Sequence, residues 1–293
     1  MLGTPSAEVE IDAVLVSRLL AEQHPDLRDL SIQFIGAGWD NAMFRLGDRL
    51  AVRLPRRAIA ASLIEKEQRW LPQLAKQLPL PVPAPYRVGK PNALYPWHWS
   101  IIPWLPGQTA DRLRINANPA RQFALFLKAL HIPPPNNAPQ NPFRGVPLIQ
   151  RVPLLNERLP RVDAYIETIA PTIQSLWQQA LDAPIDREVT WIHGDLHPRN
   201  ILIDSHNITG VIDWGDLAAG DCATDLAAFW CLFPNQYLRQ QAIDAYGEVS
   251  EATLARAKGW AILFGVALLD SGLVDNPQHA AIGQNILRYV AQP

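Results

Sequence analysis

Two cysteines among 293 residues are too few for a disulfide framework, and Cys222 and Cys231 lack the close spacing of a metal-binding pair. Both read as small buried hydrophobes. Charge is also scarce, at 18% of residues against about 25% in an ordinary domain. The 26 bases and 28 acids leave a net charge of −2. No global field exists to recruit nucleic acid or an anionic membrane, so any electrostatic site is local. The longest apolar run, Trp260 to Leu269, falls short of the roughly 18 residues that span a bilayer. The opening MLGTPSAEVE carries acids where a signal peptide carries bases. A cytoplasmic protein with no membrane partner is the expectation. Missing, too, is any G-x-x-x-x-G-K-[ST] stretch, which removes a Walker-type phosphate loop.

What is abundant is proline, 27 residues or roughly twice the average share, together with 10 tryptophans. Apolar residues at 48% are enough to build a core and exclude disorder as the main theme. The first 30 residues read as a helix that breaks at His24-Pro25. Then SIQFIG, NAMFRLG and RLAVRLP, parted by glycine-containing turns, read as a three-stranded antiparallel meander. Ile59 to Leu78 returns to helical spacing, and LPLPVPAP follows as a polyproline-like connector. YRVG and WHWSIIPWL supply two more strands. Residues 1–103 are therefore expected to form a five-stranded sheet lobe with a helix. Residues 104–293 are expected to form a larger helical lobe, an α+β, bilobal arrangement overall. In that second part the spacing predicts helices over Pro119–Leu130, Val162–Leu181, Ala223–Phe233, Gln236–Tyr246, Ser250–Leu273 and Pro277–Ala291, with a Pro- and Asn-rich loop at 133–147.

Charge by segment is more telling than net charge. Between Arg45 and Arg69 seven bases stand against three acids, whereas between His193 and Asp225 six aspartates stand against one arginine. Cations that hold phosphate oxygens and carboxylates that hold magnesium would divide in this way. The strongest local signal is HGDLHPRN at 193–200 followed by IDWG at 212–215. Asp195 and Asn200 have the five-residue separation of a kinase catalytic loop, and Asp213 falls where a metal-binding aspartate follows it. The hairpin ILID-SHN-ITGVID between them folds Asn200 back toward Asp213. Gly36 and Gly38 join the first two strands, where a glycine turn lets amides approach phosphates. Arg53, in AVRL, lies at the nucleotide-lysine position, with Glu67 as its first candidate partner and Glu65 as the second.

In this order the motifs resemble the aminoglycoside phosphotransferase family, small-molecule kinases with a protein-kinase-like fold. HGDLHPRN, IDWGDLAAGDCATDLA, Ala129-Leu130-His131 and Leu105-Pro106-Gly107 carry the likeness, which runs from about Ile35 to Leu269. The resemblance implies Asp195 as catalytic base, Asn200 and Asp213 as magnesium ligands, and Arg53 in place of the nucleotide lysine. It implies Ile102 to Leu105, including Trp104, as the hinge against the nucleobase, and Asp225 as a structural support. ATP or GTP with Mg2+ would be the donor. The acceptor would be a small molecule, and the acidic surplus at 213–225 favours an amine-bearing one, with Asp270 or Asp275 lining its pocket. A monomer or weak homodimer is expected, and Trp214 is counted with Trp104 among the site residues. Alternatives are a choline, homoserine or sugar kinase, a metal-dependent hydrolase built on His193, Asp195 and His197, and a nucleotide-binding pseudokinase.

Overall fold

The computed structural model describes residues 6–112, 117–204 and 207–292. The turn expected at residues 205 and 206 lies outside them. Two compact units emerge, one formed by Leu2–Gln77 and Pro81–Pro106, the other by Leu78–Leu80 and Gly107–Pro293.

The first unit begins with α1 (Ala13–Gln23), whose first turn is capped by Asp12 accepting from the Leu15 amide at 2.7 Å. Strands β1 (Ile32–Ala37), β2 (Asn41–Leu46) and β3 (Leu50–Pro55) form the expected meander. Helix α2 (Ala58–Leu74) follows, and β4 (Arg87–Gly89) and β5 (Trp99–Pro103) complete an antiparallel sheet of order β1-β2-β3-β5-β4. Val16, Leu19 and Leu20 of α1 pack on Phe44, Leu46, Val52, Leu54, Trp99 and Ile101 of the sheet. Gly89 is fixed by this packing, since the Trp99 ring lies 1.8 Å from where a Cβ would stand. On α2 the buried positions Ala60, Ile64, Glu67, Leu71 and Leu74 recur at helical spacing. A carboxylate thus rides on the apolar stripe.

The second unit opens with the short β6 (Gln108–Thr109) and α3 (Ala117–Leu130). Where one helix was expected over 162–181 there are two, α4 (Val152–Ile166) and α5 (Ala170–Asp182). Pro171 sits in the first turn of α5, which suits a helix start and not a helix interior. Strands β7 (Thr190–Ile192), β8 (Ile201–Asp204), β9 (Asn207–Val211) and β10 (Ala218–Gly220) form two small sheets, β10-β7 and β6-β8-β9. The expected helix at 223–233 is two short turns, α6 (Ala223–Leu226) and α7 (Ala228–Leu232). Helices α8 (Gln236–Tyr246), α9 (Glu251–Asp275) and α10 (Pro277–Ala291) close the chain, with α9 packed along α10 and against α4, α5 and α6. Helix α9 alone among the described residues is long and apolar enough to cross a membrane, and 67% of its most apolar window is buried inside this unit. Its composition is that of a core helix. Both cysteines are free and buried, with their thiols pushed up by burial, Cys222 to about 11.

Candidate active site

In the sheet unit, β3 and α2 bring together a buried ion pair. Arg53 Nη1 donates to Glu67 Oε2 at 2.6 Å, and the two residues are 7% and 2% exposed. Turned with its carbonyl toward the guanidinium, the Asn41 side chain accepts from Arg53 Nη2 at 3.0 Å and Nε at 3.1 Å. The fork of arginine therefore has its own local receptor, which a lysine could not fill. Glu65 instead meets His98 at 3.0 Å on the surface. Gly38 closes the β1–β2 turn, donating to Asn41 O at 2.9 Å, and the space above both Gly36 and Gly38 is open. Arg56 donates to Gly38 O at 2.7 Å, and Arg57 pairs with Asp40 at 3.1 Å, so two further cations border this turn. Ile102 is buried in β5 opposite Ala51. The Trp104 amide donates to Arg49 O at 2.8 Å, and its ring lies under the Arg45 guanidinium at 4.2 Å.

In the helical unit, the segment after β7 carries the catalytic-loop motif. The Asp225 carboxylate accepts the His193 amide at 2.7 Å and the Gly194 amide at 2.8 Å, with His131 Nε2 3.3 Å away and Tyr246 behind that imidazole at 2.8 Å. One fully buried carboxylate thereby fixes two consecutive amides immediately before Asp195. His193 is also committed: its Nε2 faces Ile212 O at 3.0 Å, its Nδ1 accepts from the Asp195 amide at 3.3 Å, and its ring packs on Trp214. Trp214 is wholly buried, and its indole N–H donates to Val211 O at 2.9 Å. It belongs to the core and not to a ligand surface, contrary to the sequence expectation.

Asn200 joins the parts of the motif. Its side-chain amide donates to Asp195 O at 2.8 Å, and its main-chain carbonyl accepts the Ile212 amide at 2.9 Å, one residue before Asp213. Asp213 has φ 64° and ψ 70°, the left-handed region, and among the described residues it is the one non-glycine residue with positive φ. Such strain persists where the surroundings over-determine it. With the Asn200 amide nitrogen turned to Asp195, its side-chain oxygen and the Asp213 carboxylate are hard oxygen donors of the kind that suit Mg2+. A metal site using His193 does not fit, because both ring nitrogens already serve backbone groups.

Sequence reasoning missed Arg144. It rises from the Pro-rich loop between α3 and α4, donates from Nη2 to Asp195 Oδ1 at 3.1 Å, and lies 3.6 Å from Asp216 through Nε. Burial pulls the Asp195 carboxyl upward, but His197 at 3.5 Å, Arg144 and His193 overcome this and hold it well below the ordinary carboxylate range. The loop is anchored at several points: Asn141 donates to Asp216 Oδ1 at 2.7 Å, Pro139 O accepts the Ala219 amide at 2.8 Å, and Gly145 O accepts the Asp221 amide at 2.9 Å. Gly145 has φ 68°, and a Cβ there would meet Ile192 Cδ1 at 2.6 Å and Gly220 Cα at 2.7 Å.

Three of the four aspartates expected to attract a cationic acceptor are engaged internally. Asp216 has Asn141 and Arg144, Asp221 holds Arg256 at 2.7 Å, and Asp225 braces the loop. Asp270 is buried against Arg161 at 2.7 Å with Arg158 at 3.7 Å, while Asp275 is exposed at the end of α9.

The model of the phosphotransferase enzyme family matches residues 31–260. The chain belongs to this family. Its fold is that of the kinase-like aminoglycoside phosphotransferases. The solved GDP complex of aminoglycoside 2'-phosphotransferase-IIIa superposes with a TM-score of 0.70 at 21% identity, covering 96% of this chain and 99% of that one. Macrolide 2'-phosphotransferase MphH from Brachybacterium faecium gives 0.61 at 22% identity, with 94% and 97% covered. In sequence, the aminoglycoside 3'-phosphotransferase of Streptomyces ribosidificus is 43% identical over 56 residues, 18% of this chain and 21% of that protein. The match spans about a fifth of the length of the curated relatives.

Proposed function

We propose that this family member is a small-molecule kinase that transfers the γ-phosphoryl group of a magnesium nucleotide, ATP or GTP, to an acceptor hydroxyl. The observation that carries this reading is the position of Asn200, hydrogen-bonded to the main chain of Asp195 on one side and Ile212 on the other. It gathers a base and two oxygen ligands around one hairpin. Asp195 takes the acceptor hydroxyl proton as the new oxygen–phosphorus bond forms. The bond from the γ-phosphorus to the β–γ bridging oxygen breaks, and the nucleoside diphosphate leaves. Asn200 and Asp213 would hold the metal, which when bound neutralises charge on the β- and γ-phosphates. Arg53, held by Glu67 and Asn41, offers a fixed cation for the nucleotide phosphates. Gly36 and Gly38 leave room for phosphate above the first turn.

The family name and the aminoglycoside and macrolide names of its relatives support a hydroxylated small acceptor. Asp216, Asp221 and Asp225 are engaged within the fold, so the support for an amine-bearing acceptor is the aminoglycoside names of the relatives and not the acidic run. The test is magnesium-dependent release of ADP or GDP across aminoglycosides, macrolides, amino alcohols, sugars and hydroxy acids. Asp195→Ala is expected to lower acceptor-dependent turnover by about 10²- to 10⁴-fold while nucleotide binding persists. Retained turnover in that variant removes Asp195 as the base.

A further inference from the structure

Among the described residues Arg151 pairs with no carboxylate. It is half-buried, its guanidinium makes no hydrogen bond among the described residues, and its Nε is sealed from solvent. Its one contact of note is the Phe143 ring, 5.3 Å from Cζ, and Phe143 is 58% exposed. The two charged groups that act on it, Arg144 and Arg158, share its sign. Phe143 is followed in the chain by Arg144, which binds Asp195. Arg158 lies seven residues on, two helical turns along α4 and so on the same side as Arg151. Arg151 is also the residue that precedes the first turn of α4, the positive end of the helix dipole, where a cation is unfavourable. Burial first, and then Arg144 and Arg158, lower its pKa, which is the mark of a cation held where it is not stabilised.

Arg144 and Arg158 differ from Arg151 in having acids, Asp195 and Asp216 for the first, Asp270 for the second. Both lie along one side of α9, Arg144 with Cζ 5.2 Å from the Phe264 ring and Arg158 donating to Ala267 O at 3.5 Å. Residues 264, 267 and 270 share a face of that helix. Arg144 therefore binds the proposed base, and Arg158 shares a helical side with Arg151, which makes no ion pair among the described residues.

We infer that Arg151, flanked by Arg144 and Arg158, receives a negatively charged group of the acceptor, a carboxylate or a phosphate ester, while an acceptor hydroxyl reaches Asp195. The substrate class is hydroxyl compounds that already carry negative charge. This rests on the phosphotransfer reading for its orientation toward Asp195, but the anion site itself does not.

The test uses the full chain saturated with Mg-AMP-PNP, so that the γ-phosphate position is filled. Inorganic phosphate and malate are titrated separately at constant ionic strength with chloride as the control, and thermal stabilisation is followed. At least one of the two is expected to give saturable stabilisation, with the apparent Kd raised about tenfold or more in Arg151→Gln and unchanged in Arg121→Gln, an exposed arginine of α3. A phosphate response alone assigns a phosphate ester and a malate response alone a carboxylate. No saturable stabilisation by either probe, or equal stabilisation in wild type and Arg151→Gln, overturns the proposal. So does turnover confined to cationic or neutral acceptors and insensitive to Arg151→Gln. The response of each variant to Mg-AMP-PNP reports its folding. Anion binding without any nucleotide response would overturn the phosphotransfer reading and leave the anion site standing.

Discussion

The two units each hold an arginine–carboxylate pair, and the pairs are built for different ends. In the sheet unit Arg53 and Glu67 are sealed, joined at 2.6 Å with side chains 8% and 3% exposed. In the helical unit Arg144 and Asp195 meet at 3.1 Å with side chains 23% and 26% exposed. A sealed pair cannot exchange partners without leaving a bare charge in the interior, so it fixes geometry. An open pair exchanges with solvent or substrate at small cost, so it tunes reactivity.

Removing one member tests this contrast most severely at Glu67. Glu67→Ala leaves the Arg53 guanidinium buried and short of its carboxylate, and should lower unfolding stability by about 3 to 5 kcal/mol, read by denaturant titration. Asp225 shows that sealing, and not the unit, is the deciding variable, because it lies in the helical unit and is wholly buried. Asp225→Ala orphans two amides and the His131 partner, with an expected loss of about 2 to 4 kcal/mol and a fall in turnover toward a hundredfold as the loop loses register. Asp225→Asn should be milder on both counts.

Arg144→Ala is expected to change stability by about 1 kcal/mol or less. Its signature is kinetic. Asp195 acts as a base only when ionised, and its folded pKa lies below the ordinary value of about 3.9, so activity limited by this group is full at neutral pH and lost only as pH falls through the depressed value. Without Arg144 that acid limb of the pH–rate profile moves to higher pH. A stability loss in Arg144→Ala as large as in Glu67→Ala would break the comparison.

A comparably small effect belongs to Asp186, whose side chain is 30% exposed although its partner Arg256 is sealed at 2%. Hydrogen bonds from Ser250 first, and then from Thr253 and Arg256 against the opposing effect of burial, lower its pKa to about 2. Because the folded value is depressed, its stabilisation is complete above about pH 4 and fades as pH drops toward about 2. Asp186→Asn should cost about 1 kcal/mol at neutral pH, discounted for its partial exposure, and almost nothing near pH 2.

Much of this was legible from local pattern. Alternation and glycine turns marked the meander, and the five-residue spacing of Asp195 and Asn200 corresponds to a hydrogen bond between them, while the β8–β9 hairpin returns the chain to Asn200 at Ile212, the residue before Asp213. Glu67 was distinguishable from Glu65 in that it continues the apolar stripe of α2. The start of α4 was hidden by Pro160, an interior proline whose residue type argues against a helix that packing on α9 nevertheless stabilises. Arg144 was illegible for a different reason. Its partner lies 51 residues away, and nothing in a Pro-rich loop announces a tertiary contact. The engagement of the acidic run was illegible for the same cause: Arg256, Asn141 and Arg144, which hold Asp221 and Asp216, stand far off in the sequence.

The Pro-rich loop has one more consequence, for how the protein can diverge. Its anchors to the catalytic segment run largely through backbone groups, Pro139 O and Gly145 O, and through Asn141, so they survive replacement of the side chains between and beyond them. Among the described residues, no hydrogen bond or ion pair joins the side chains of Phe143 and Arg151 to Asp195 or Asn200. A lineage can therefore retarget its substrate by a few point changes in one short stretch while the phosphoryl-transfer machinery is inherited intact.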